Sequence, residues 1–141
     1  MSRLLWRGQA MLEILIVLIF LIPLIFGGIE LSRGVAVRAA LDSGVGVAVR
    51  GLAINPDQWV WAANVVAQTV QQNVFGSAGV GTAHLEAYNG AGGRIDADID
   101  LLSYGAPFYL EGWVEYTPQI PLMNLSTLTI RVRHYGVMER I

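Results

Sequence analysis

The chain of 141 residues contains no cysteine. That excludes disulfides, a thiolate nucleophile and a thioether-linked lipid anchor. Lysine is missing too, so all 9 basic residues are arginine. Its absence removes Walker-type phosphate loops, Schiff-base chemistry and lysine isopeptide cross-links. Charge is scarce: 14% of residues are charged and 54% are hydrophobic, where about 25% charged would be ordinary for a soluble domain. From Asp57 onward the acids Asp57, Glu86, Asp96, Asp98, Asp100, Glu111, Glu115 and Glu139 face only Arg94, Arg131, Arg133 and Arg140. Without a basic patch to neutralise phosphates, nucleic acid is not an expected partner.

What the chain does have is one long apolar run. Between Ala10 and Ile29 the only ionisable side chain is Glu13, and about 20 apolar residues are what a helix needs to cross a bilayer core. Arg3 and Arg7 precede the run with no acid among them, which places the N-terminus on the cytoplasmic side. The reading is therefore a basic leader at 1–8, a transmembrane helix at 9–29, a helical extension at 30–54 and an exported α+β domain at 55–141. That domain is a single one, because the length allows no more. Pro23 is expected to kink the span, and the pair Gly27–Gly28 lets another helix come close.

Beyond the span, Leu31, Val35, Leu41, Val45, Val49 and Leu52 recur at helical spacing. Gly44 and Gly46 should loosen that helix, at roughly 1 kcal/mol each against alanine. Asn55-Pro56-Asp57 reads as the start of a second, amphipathic helix, capped by Asn55 and running to about Phe75 before Gly76. Its apolar stripe is Trp59, Ala63, Val66, Val70 and Val74. After Gly76 the period changes to two. About four antiparallel strands are expected: Thr82 to Tyr88, Arg94 to Leu101, Tyr109 to Thr117, and Ser126 to about Met138. In the second of these, Ile95, Ala97, Ile99 and Leu101 would face inward and Asp96, Asp98 and Asp100 outward. Glu111 and Glu115 would stand across from Arg131 and Arg133.

Catalytic and metal chemistry is thinly represented. His84 and His134 are the only histidines, and their spacing is no recognised zinc pattern. Asp96-Asp98-Asp100 starts like a calcium loop. Leu101 then stands where glycine is needed, and Pro107 where the bidentate glutamate belongs. GSAGVG, Gly76 to Gly81, follows a helix rather than a strand and has the wrong glycine spacing for a dinucleotide turn. No nucleophile, base and acid assemble into a set, so no enzyme, no metal and no cofactor are expected. An exported enzyme or metal-binding domain on a membrane anchor ranks behind a structural role.

Glu13 is then the residue to explain, because a carboxylate at the mouth of a membrane span is costly without a partner or a function. Its context is a short basic leader, Gly8, a polar Gln9, and Glu13 as the fifth residue after the glycine. A secretory signal would instead place its cleavage site after the apolar core. Through RGQAMLE (Arg7 to Glu13), the span with its proline and FGGIELSR (Phe26 to Arg33), the sequence resembles the TadE-like pseudopilins of tight-adherence (Flp-type) pilus systems, relatives of type IV pilins. VEYTPQIPL (Val114 to Leu122) and VRHYGVMER (Val132 to Arg140) extend the resemblance over most of the chain.

The resemblance implies a pilin-like fold in a bacterial cytoplasmic membrane, with other pilin-like subunits as partners. It further implies that a prepilin peptidase cuts between Gly8 and Gln9. Glu13 would neutralise a neighbour's new amino terminus and so set the register of assembly. The alternative is an uncleaved single-span accessory subunit of a larger membrane complex. Glu13 would then pair with a residue on a partner, and Pro23, Gly27 and Gly28 would serve helix packing.

Overall fold

The computed structural model describes residues 2–74, 76, 78–121 and 123–139, with backbone alone at 2–8 and 97. Its elements are α1 (Ser2–Ile54), α2 (Trp59–Asn73), β1 (His84–Asn89), a 3-10 helix (Asp96–Leu101), β2 (Pro107–Tyr116) and β3 (Leu128–Val137). The class is α+β, with three strands rather than the four expected.

Helix α1 runs unbroken for 53 residues, through Pro23 and through every glycine on the way. At 1.5 Å per residue that is roughly 80 Å of helix. Only its second half is packed. Val37, Leu41, Val45, Ala48, Val49 and Leu52 are buried at three- and four-residue spacing, the stripe expected of a helix lying against a core. Leu31 and Val35, expected on that stripe, are instead 72% and 63% exposed. Cover over these apolar positions begins at Val37; before it the sheet reaches α1 only through Tyr116, at Glu30 and Gly34.

Gly44 does not loosen α1. A Cβ built there would stand 3.1 Å from the Val66 Cα of α2 and 3.3 Å from the Thr69 Cβ. The missing side chain lets two helix backbones approach, and the packing gained offsets the propensity lost. Helix α2 returns antiparallel to α1 and buries Ala62, Val66 and Val70. Ala62 takes the inward place expected of Ala63. Asn55 is not the cap of α2. Its N–H donates to the Gly51 carbonyl (2.8 Å) and its own carbonyl accepts from Gln58 N–H (3.2 Å). Asn55 therefore closes α1, and Pro56-Asp57 form the turn between the helices. The helix ends at Asn73, short of Phe75, which lies outside the described residues.

The sheet is an antiparallel meander in the order β1-β2-β3. Its inner face carries Leu85, Ala87, Phe108, Leu110, Val114, Tyr116 and Val132, buried against the helices. At the centre of β2 stands Gly112, where a Cβ would lie 2.4 Å from Val45 Cγ2 and 3.2 Å from Leu41 Cδ1. The glycine is the seat of α1 on the sheet.

The segment RIDADIDL is not a strand. After a tight turn, Arg94 makes one bridge to Tyr88, and Asp96 then adopts a positive φ of 29°. Its Oδ1 accepts the Ala87 N–H at 3.0 Å, supplying from a side chain the bond that a fourth strand would supply from backbone. Aspartate competes with ladders in this way. From there the chain winds as a 3-10 helix that buries Ile99 and leaves Leu101 77% exposed. The side chain of Ala97 lies outside the described residues.

Candidate functional site

Two carboxylates mark the two ends of the apolar run, and the structure treats them differently. Glu13 stands on a bare stretch of α1, where residues 9 to 22 are all exposed. Its one described contact is with Gln9, whose Nε2 donates to Glu13 Oε1 at 3.4 Å, one turn earlier on the same face. Gly8 and Gln9 lie within the helical backbone of α1. Gly27 and Gly28 have no atom within 4 Å of a built Cβ, so that surface of the helix is open. The side chains of Arg3 and Arg7 lie outside the described residues. One helix, α1, is long and apolar enough to cross a membrane.

Glu30, directly after the run, is 7% exposed. Tyr116 Oη, at the end of β2, donates to Glu30 Oε2 and lies 3.2 Å from the Glu30 carbonyl oxygen. Arg33, one turn along α1, donates from Nη1 to Glu30 Oε1 at 2.7 Å. Its Nη2 donates to the carbonyls of Gly76 (2.8 Å) and Ala78 (2.6 Å). The backbone of Gln119 adds a further hydrogen bond to the Glu30 carboxylate. Arg33 Nε is buried without a partner among the described residues. Four segments are thereby tied at one point: α1 at residues 30 and 33, the chain after α2, the end of β2, and the loop beyond it. Burial and the hydrogen bond to Glu30 push the Tyr116 phenol up to about 12, so it stays a donor over the ordinary pH range. A carboxylate so enclosed holds its place only because each oxygen is satisfied.

Sequence reasoning passed over Glu30 because an acid at the end of a span is ordinary. The signal for it was Arg33 at the i+3 position, together with a tyrosine that ends a buried strand.

Beside this cluster, α1 and the β2–β3 loop enclose an open groove of about 630 Å³. Gly27, Leu31, Gly34 and Val35 form its helical wall, and Pro118, Ile120, Leu125 and Leu128 form the opposite wall.

On the outer face of the sheet the expected charge pairing is concentrated on one acid. Glu111 accepts from Arg131 (3.0 Å) and Arg133 (2.8 Å), whereas Glu115 stands across from Thr129. The hydrogen bond from Arg133 holds the Glu111 carboxyl below the ordinary carboxylate range, burial opposes it, and Arg131 adds to the lowering. Rings flank the pair: His84 stacks on Trp113 at 4.1 Å and Tyr88 on Tyr109 at 4.9 Å. His134 points to the other face, 2.9 Å from Asp42 on α1. No group of three or more His, Cys, Asp or Glu residues able to hold a metal occurs among the described residues.

No protein-family model, curated protein or solved structure matches the chain.

Proposed function

We propose that this chain is a non-catalytic, pilin-like membrane protein. In this reading it acts as a minor pilin or pseudopilin in the assembly of a tight-adherence pilus. It sits in the bacterial cytoplasmic membrane with its N-terminus inside and its α+β domain outside. The observation that carries the reading is the division of α1. One half is a bare apolar rod with a single acid, Glu13, near its start; the other half is the spine of a folded domain. Such a shape suits a subunit held laterally by other helices through its rod while the domain stays in water. An unpaired carboxylate in hydrocarbon costs a few kcal/mol, which favours pairing with a cation such as a neighbour's amino terminus. Gln9 and Glu13 share one helix face, so a terminus made by a cut between Gly8 and Gln9 lies within one turn of the carboxylate.

The test is the intact mass and N-terminal sequence of the chain isolated from its native membrane, together with assembly by Glu13→Gln. A mature start at Gln9 and a Glu13→Gln variant that inserts without assembling are the expected results. A start at Met1 or Ser2 with the leader intact overturns processing and leaves the accessory-subunit reading, which the open surface at Gly27 and Gly28 also suits. Normal assembly by Glu13→Gln removes the registration role.

A further inference from the structure

Strand β2 runs antiparallel to the second half of α1. Gly112 lies under Val45 and Leu41, and Tyr116 reaches Gly34 and Glu30. The strand thus descends toward the apolar half of the helix and delivers the chain after Tyr116 to the level where the span ends. That next stretch carries no charge: from Thr117 to Ile130 there is no acid and no base. Thr117 and Thr127 join side chains at 2.8 Å and close the stretch into a loop. Within it Met123 and Leu125 are exposed, as is Leu128 just beyond. An apolar loop tip without charge is out of place in water.

Its surroundings suit a bilayer boundary. The groove behind the loop opens along Gly27 and Leu31, continuous with the stretch of α1 that carries no ionisable side chain from Ile29 back to Ile14. Higher on the same groove stands Arg38, which makes no ion pair or hydrogen bond among the described residues. Arg38 is nine residues past Ile29, roughly 13 Å along the axis. Helical side chains lean back toward the N-terminus, which brings the guanidinium toward the phosphate layer.

We infer that the β2–β3 loop is a second membrane contact: residues 118–121 and 123–126 rest in the outer headgroup region, with Leu125 and Met123 in the acyl boundary and Arg38 over the phosphates. The partner is the phospholipid surface that the span itself crosses, and the inference rests on the membrane-spanning reading of α1. The Glu30–Arg33–Tyr116 cluster holds the loop at that height, so span and domain meet the membrane as one rigid piece.

The absence of cysteine makes the test clean. Full-length chains carrying Leu125→Cys, Ile19→Cys or Tyr104→Cys are labelled with an environment-sensitive fluorophore and reconstituted in phosphatidylcholine vesicles. Quenching by lipids brominated along the acyl chain is then read. Tyr104 is exposed at the far end of the domain, beside Gly105, which bonds Met138. The expected result is blue-shifted emission and severalfold stronger lipid quenching at Leu125 than at Tyr104, with Ile19 quenched from the deepest position. A Leu125 label as wet as that at Tyr104, while Ile19 is quenched, overturns the loop contact alone. An unquenched Ile19 overturns the spanning reading and the loop contact with it. Protection of Leu125 from aqueous iodide without lipid quenching, accompanied by energy transfer between differently labelled copies, assigns the loop to a second subunit and also overturns the proposal.

Discussion

The two halves of α1 share one secondary structure and have almost opposite compositions of contact. From Met11 to Phe26 most side chains are large, apolar and exposed. From Val37 to Ala53 they are mixed with alanine and glycine and nearly all of the inward ones are buried. The apolar half is the more hydrophobic, yet it contributes nothing to the core. Hydrophobicity alone therefore does not say where a domain is; the small residues do. Gly44 admits α2, and Gly112 on the sheet admits α1. The glycines of the apolar half, Gly27 and Gly28, meet nothing within this chain, so they admit no element of the domain.

That contrast predicts unequal mutational costs, measured by thermal unfolding of the detergent-solubilised chain. Leu41→Ala removes a fully buried side chain and should destabilise the domain by about 2–5 kcal/mol, whereas Leu18→Ala should leave domain unfolding unchanged. An equal loss from both would break the division of α1 into rod and spine. Gly112→Val forces a methyl-bearing carbon onto Val45 and Leu41 and should cost about 1–3 kcal/mol; no loss would mean the sheet yields where packing says it cannot.

A last prediction concerns the joint between the halves and shows only at alkaline pH. Tyr116 titrates higher in the folded chain, at about 12, than its ordinary 10.0. A raised folded value means its contribution is complete below pH 10 and is lost as pH climbs toward 12. Tyr116→Phe should therefore flatten the alkaline fall in stability over that window by on the order of 2 kcal/mol, seen as the pH dependence of the melting temperature. An unchanged alkaline limb would show that the Glu30 hydrogen bond contributes little.

Much of the architecture was legible because it is local. The apolar run, the extension as helix, the second helix and the strands at β1, β2 and β3 all come from period and from turn residues. The fourth strand failed for a reason the alternation could not carry. A side chain, Asp96, took the backbone bond of Ala87, and with it the place of a ladder. Asn55 failed similarly: its backbone was already committed to Gly51 of α1, so proline and aspartate after it made a turn instead of a helix start. In the candidate site, Glu13 could be picked out from its position in an apolar field. Glu30 could not, because its burial comes from Tyr116, 86 residues away.

The sequence by itself determined that one segment is long and apolar enough to cross a membrane. It also set that the chain lacks thiol and lysine chemistry, and that helices precede strands. These are properties of composition and period, which need no partner in space. The tertiary structure alone decided which half of the long helix is core, that Glu30 and not Glu13 is locked by hydrogen bonds, and that the uncharged β2–β3 loop returns to the foot of the domain. Those depend on which surfaces close over which, and burial and hydrogen-bond satisfaction are properties of that closure.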